Sequence, residues 1–320
     1  MMRNMFLYMF KKMKNIVTKQ FQILTDINLA WDFIVEIYNI KSKENKESIE
    51  APFFEYALTS SWMNKDYLHL CRFWLDNDKI VAFVFYENLG DIYFVLRPGY
   101  EDLAEEMILY ASTSFLYQNN QISFIFSKDQ KELIQAAEKH GYKLSYQEKE
   151  YVLDITKTSL NFELPKGYHF VDAANIDPIK LAKCTWKGFN EWELGPFENW
   201  ESPGDKRDWN PHKSYTGVQN NLMAPPPHST YKHNIVIADE NEEYVCYSGM
   251  WWVPENGLAY MEPLCTIPEH QHKGLAAAAL TKHYQKFKNL GGKLLTGGDN
   301  DFYKKIGYDL EIYSLVYKKS

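Results

Sequence analysis

The stretch EPLCTIPEHQHKGLAAAAL, Glu262–Leu280, decides how this sequence reads. An apolar run, Leu258–Met261, enters a turn opened by Pro268. The chain then passes through Gln271-His-Lys-Gly274-Leu-Ala276 into an alanine-rich helical segment. A strand, a tight turn and a helix N-terminus in succession suit an anionic ligand. The first turn of a helix leaves backbone N–H groups unpaired and carries a partial positive charge. Gly274 and Ala276 hold little side chain, so a pyrophosphate can approach the backbone. His272 and Lys273 can add positive charge at the rim, and Ala276–Ala279 let the helix pack closely.

Working outward, the strand before this turn belongs to a pattern that occurs twice. Asp78–Phe94 (DKIVAFVFYENLGDIYF) and Glu243–Met261 (EYVCYSGMWWVPENGLAYM) each give a β-rich run, a Glu-Asn turn with glycine, and a second β-rich run. Ala136–Leu144 (AAEKHGYKL) matches Phe302–Leu310 (FYKKIGYDL), and Gly90 to Gly257 has nearly the offset of Gly141 to Gly307. One fold is therefore expected twice, joined near Asp154–Pro165. In each copy a short strand and helix (Phe21–Leu24, then Asn28–Tyr38) precede the hairpin. Leu103–Phe115 and Leu275–Leu290 have helical apolar spacing, and Ile122–Phe126 and Lys293–Leu295 read as short buried strands. This order fits an α/β or α+β sheet covered on its faces.

Composition narrows the function. The 320 residues are 45% apolar, enough for two cores. Lys and Arg number 35 against 42 Asp and Glu, a net charge of −7, which argues against a nucleic-acid partner. No apolar run approaches the ~20 residues that span a bilayer, and Met1–Lys14 reads as a loose extension and not a signal peptide. Four scattered cysteines without a CxxC pair suggest reduced, structural thiols in a cytoplasmic protein and no metal site. Trp186–Tyr231 carries Trp192, Trp200 and a Pro225–Pro227 run. It reads either as a functional lid or as aromatic packing.

Q-x-x-G-x-A at a strand-to-helix junction resembles the acyl-CoA-binding motif, Q/R-x-x-G-x-G/A, of the GNAT superfamily of N-acetyltransferases. FYKKIGY (Phe302–Tyr308) resembles that family's closing motif, and EP-x-x-T-x-P (Glu262–Pro268) looks like a bacterial tandem-GNAT subgroup. The resemblance spans the second half and, more weakly, the first. It implies two GNAT-like domains, each a mixed, mostly antiparallel sheet flanked by helices. The expected bounds are 1–15 for the extension, 16–154 for a degenerate domain and 155–320 for a catalytic one. It implies acetyl-CoA as cosubstrate, no metal, and acetyl transfer to a primary amine of a small molecule by direct attack in a ternary complex. Leu264, Cys265, Thr266, Gln271, His272, Lys273, Gly274, Leu275 and Ala276 would hold the cosubstrate, with Tyr303 facing its sulfur. Thr296 and Asp299 stand where the family often has Asn and Ala. The first half lacks both motifs: Arg97–Met107 (RPGYEDLAEEM) is acidic, and Ala137 matches Tyr303.

An amine of pKa ~10.4 must lose a proton to attack, at a cost of about 4–5 kcal/mol at pH 7. Glu262, ending the strand that leads to the turn, is the candidate base. Tyr303 is the candidate donor to the departing thiolate. Trp192, Trp200, Trp251 and Glu262 are the expected acceptor contacts. Cys265 and His283 read as packing residues, and Asp299 as the N-cap of the helix carrying Tyr303. Two rivals remain open: transfer of another acyl or aminoacyl group on this scaffold, and a non-catalytic acyl-CoA sensor.

Overall fold

The sequence repeat is a repeat in space. In the first half, strands β2 (Arg72–Asp76), β3 (Lys79–Tyr86) and β4 (Asp91–Leu96) form an antiparallel run. Helix α3 (Ala104–Ser114) then leads to β5 (Ser123–Ser127), which pairs parallel to β4. In the second half, β8 (Ile235–Asp239), β9 (Tyr244–Val253) and β10 (Leu258–Thr266) form the matching run. Its helix leads to β11 (Leu294–Thr296), parallel to β10. The paired turn glycines, Gly90 and Gly257, both adopt positive φ, as do Gly141 and Gly307, which only glycine does freely. The computed structural model describes residues 14–43, 47–60, 63–87, 90–115, 122–190, 227–228 and 231–319.

The two halves build one twelve-stranded sheet. Its remaining strands are β1 (Ile16–Gln20), β6 (Tyr142–Asp154), β7 (Tyr168–Phe170) and β12 (Leu310–Lys319), and its order is β1-β2-β3-β4-β5-β12-β6-β11-β10-β9-β8-β7. The halves have exchanged their last strands. β12, the end of the chain, pairs with β5 of the first half, while β6 pairs with β11 of the second. β6 and β12 also pair with each other, from Leu310↔Val152 to Lys319↔Tyr142. All pairings but β4–β5 and β10–β11 are antiparallel.

Helices α1 (Ile23–Ser42), α2 (Ala51–Thr59) and α4 (Lys131–Lys139) accompany the first half, and α5 (Pro178–Gly188), α6 (Leu275–Asn289) and α7 (Asp301–Ile306) the second. One expectation shifts here: the first strand ends at Gln20, not Leu24. Gln22 is the last extended residue, and its N–H donates to the Asp26 carboxylate at 3.0 Å while Lys19 pairs with the same group at 2.6 Å. That carboxylate fixes the helix start, and Leu24 is left 93% exposed.

The cores are not separate either. The first half's cluster around Phe54, Phe83 and Phe94 includes Trp251, Val253, Leu258 and Tyr317 of the second half. Trp251 meets Tyr56 edge to face at 5.5 Å, and the buried Asn256 amide donates to the Val35 carbonyl at 3.2 Å. Burying one such aromatic contributes roughly 2–3 kcal/mol, so each half stabilises the other.

Candidate active site

β10 and β11 pair only at Leu258↔Leu294 and Ala259↔Leu295. Beyond that, the Met261 N–H donates to the Thr296 hydroxyl at 2.8 Å in place of a backbone acceptor. On its other side β10 keeps register with β9 until Met261↔Met250 and resumes at Leu264↔Ser248. Two residues, Glu262 and Pro263, thus bulge opposite one, Gly249. Bulges re-aim side chains near functional sites. No Cβ fits at Gly249, because it would run into the Glu262 carbonyl and the Pro263 ring.

The parting of β10 and β11 opens a cleft of about 550 Å3. Leu264, Cys265, Thr266, Gln271, His272, Gly274, Leu275, Ala276 and Tyr303 line it; of the expected set only Lys273 does not. His272 (φ 59°) and Gly274 (φ 84°) are left-handed, and Gly274 caps α6. The first backbone bond of that helix here runs from Ala278 N–H to Gly274, leaving the preceding N–H groups at the cleft. A Cβ at Gly274 would meet nothing within 4 Å, so the space before the helix is open. The Gln271 amide ties the turn to Thr266 at 3.2 Å. An open cradle, spare N–H donors and the cleft-lining Lys305 suit a pyrophosphate.

Tyr303 lines the cleft and is buried. Its ring lies on Gly297 and Gly298, where added Cβ atoms would come within 2.7 and 3.1 Å of it, and packs on Tyr308 at 5.2 Å. Burial, then the charge of Glu262, pushes its phenol above the usual range. The helix that carries it is capped by Asn300, whose side chain accepts from Phe302 N–H at 2.8 Å. The cap is therefore not Asp299: Asn300 has the extended backbone from which a side chain reaches two residues on.

Glu262 lines a second cavity, of about 240 Å3, that also borders the first half. Burial pushes its carboxyl up to about 8, and the neighbouring Glu150 and Glu87 add to this; a Tyr56 hydrogen bond opposes it. Trp251 lines neither cavity and is a core residue. Trp192 and Trp200, with most of the expected lid, lie outside the described residues. His283 is buried against the Ser248 hydroxyl at 3.1 Å, and burial lowers its pKa to about 3. Sequence reasoning missed Gly249, Gly297 and Gly298, whose only signal is glycine in or beside a strand.

Among the described residues no helix is long and apolar enough to cross a membrane, and no group of three or more His, Cys, Asp or Glu could hold a metal ion. Residues 186–308 match the acetyltransferase (GNAT) family. No curated protein matches the chain. Among solved structures, an acetyltransferase of the GNAT family from Colwellia psychrerythraea superposes with a TM-score of 0.58 at 10% identity, over 95% of this chain and 100% of that one. A tandem GNAT protein from the clavulanic acid biosynthesis pathway gives 0.55 at 9%, over 95% and 99%. A GCN5-related N-acetyltransferase from Sphaerobacter thermophilus gives 0.53 at 12%, over 95% of both chains. The chain has the GNAT fold and carries a GNAT acetyltransferase domain over residues 186–308: it is an acyltransferase.

Proposed function

We propose that the second half transfers an acetyl group from acetyl-CoA to a primary amine of a small molecule, by direct attack while both are bound. The observation that carries this reading is the position of Glu262. It lines the acidic cavity, and its charge acts on Tyr303, which lines the cleft. On this reading Glu262 serves as base for the amine and Tyr303 as donor to the leaving group. Residues 272–276 would hold the pyrophosphate, with Leu264–Thr266 along the pantetheine. When bound, the thioester supplies an acyl carbon attached to a good leaving group.

Glu262 takes the proton that the amine nitrogen must lose. An ordinary glutamate lies about 6 units below an amine of pKa ~10.4. Raised to about 8, Glu262 narrows the gap to about 2.4 units, or ~3 kcal/mol. At pH 7 much of it is protonated in the free protein, so the fraction that can act as base grows with pH up to about 8. The Tyr303 hydroxyl donates a hydrogen bond where the sulfur leaves as the carbon–sulfur bond breaks. A phenol with a raised pKa is a hydrogen-bond donor to the thiolate more than a source of its proton. The first half takes no part in these steps through a cleft of its own. Its matching turn carries Glu101, Asp102, Glu105 and Glu106, which repel a pyrophosphate.

The test is a screen of primary amines against acetyl-CoA with free thiol as readout. Amine-dependent thiol release supports transfer; binding of acetyl-CoA with no release for any amine leaves the sensor reading.

A further inference from the structure

We propose that the acceptor is an extended di- or polyamine, with its reacting nitrogen at Glu262 and its second ammonium held by carboxylates of the first half. This rests on the acetyl-transfer reading. The cavity at Glu262 is lined by Glu50, Glu87, Glu148 and Glu150, brought from three separate parts of the first half. Glu148 and Glu150 share one face of β6 because side chains alternate along a strand. The exchange of β6 into the second half's part of the sheet is what carries them toward Glu262.

The charges are poorly balanced. Lys128 pairs with Glu47 at 2.6 Å, and Lys318 lies near Glu148. Glu50, Glu87, Glu150 and Glu262 have no cationic partner among the described residues. Desolvation first, and their mutual repulsion next, raise Glu50 to about 8. Glu87 is raised by burial to about 7 despite a hydrogen bond from Tyr93. A cationic ligand removes this repulsion.

Four further features select the ligand. The carboxylates are spread along the cavity, and no three of them could hold a metal ion, so the charge that fits is distributed along a chain. Phe53, Tyr93 and Tyr260 also line the cavity, and aromatic faces suit methylenes and ammonium groups alike. Two buried polar atoms of lining residues, Ser127 Oγ and Glu47 Oε2, have no hydrogen-bond partner among the described residues, as expected of groups that a ligand satisfies. At about 240 Å3 the space is below the roughly 300 Å3 at which sites for bulkier ligands begin, which favours a slender chain. One ammonium would satisfy Glu262 and leave the distal carboxylates unpaired. An acceptor bearing its own carboxylate would be repelled by them.

The amines 1,5-diaminopentane, n-pentylamine and lysine separate these requirements. The first adds a second cation to n-pentylamine, and lysine adds a carboxylate to the first. We measure thiol release from acetyl-CoA with each, and their binding by calorimetry in the presence of CoA. The diamine should exceed n-pentylamine in kcat/KM and in affinity by at least roughly 30-fold, the scale of one desolvated charge pair, and should exceed lysine as well. The double variant Glu87→Gln, Glu150→Gln should bring the diamine-to-monoamine ratio close to one. Equal kcat/KM for diamine and monoamine, a preference for lysine, or a ratio unmoved by the double variant overturns the proposal. If no amine releases thiol, acetyl transfer fails as a reading and binding decides alone. Diamine affinity that the double variant abolishes then sustains the acidic site; its absence, or tighter binding of Mg2+ or Ca2+, overturns it.

Discussion

Gly249 stands opposite the bulge at Glu262, and no side chain fits between them. The position of the candidate base thus depends on a hydrogen atom on the neighbouring strand. Gly249→Ala must push the bulge outward. Overpacking of this kind costs about 1–3 kcal/mol, and a shift of the base costs rate beyond that. We expect kcat to fall at least roughly 10-fold while acetyl-CoA affinity, set mainly by the turn at residues 271–276, stays within about 2-fold. Thermal melting with steady-state kinetics checks both; equal losses of rate and cosubstrate affinity would point to general misfolding instead.

Acetyl-CoA should bind once per chain. The matching turn of the first half also has an open, left-handed glycine, Gly99, but its N–H is taken by the Glu101 carboxylate at 2.8 Å, and Glu105 and Glu106 stand in the first turn of the helix that follows. Gly274→Glu puts a strained side chain and a negative charge in the cradle and should abolish binding. Calorimetry reads the stoichiometry, and two sites per wild-type chain would refute it.

The strand exchange makes the second half dependent on the first. A fragment Tyr151–Ser320 loses most of β6, which lies between β11 and β12, and so parts them. It also exposes Trp251 and Tyr317, buried in the first half's core. The fragment should aggregate, or melt well below the full chain. A soluble fragment with full activity would contradict this.

Much of this fold was legible because its signals are local. Glycine between β-rich runs marks both hairpins, and Gln271–Ala276 announces α6 and the cleft. The exchange of β6 and β12 left no trace, since alternation in Tyr146, Glu148 and Glu150 states which side chains share a face and not which strand lies alongside. For the same reason nothing in the sequence brings Glu50, Glu87 and Glu150 together; the fold gathers them around Glu262. Gly249 and Gly297 were silent because a glycine's necessity lies in the atoms opposite it. Trp251, expected at the acceptor, packs in the shared core, and an aromatic beside a site and one in a core look alike in sequence.

The raised carboxyl of Glu262 fixes a pH profile. A base must be ionised, and kcat/KM reports the free enzyme and free amine. With Glu262 near 8, wild-type kcat/KM should rise with pH to about 8 and then level off until the amine itself deprotonates near ~10. Glu262→Gln, lacking the base, should be slower at neutral pH but keep rising to ~10, so its defect shrinks between the two. Wild-type rates for this variant at pH 7 would remove Glu262 from the role.

Tyr303 carries the central claim, that thiolate departs into the cleft beside a buried phenol. Tyr303→Phe removes one oxygen, keeps the ring on Gly297 and Gly298, and leaves the pyrophosphate turn untouched. The most direct measurement is single-turnover acetyl transfer to the best amine, which isolates chemistry from product release. The account predicts a rate lowered by roughly 10–1000-fold, acetyl-CoA affinity within about 2-fold of wild type, and no rescue at high pH. An unchanged single-turnover rate would contradict it and return Tyr303 to the core.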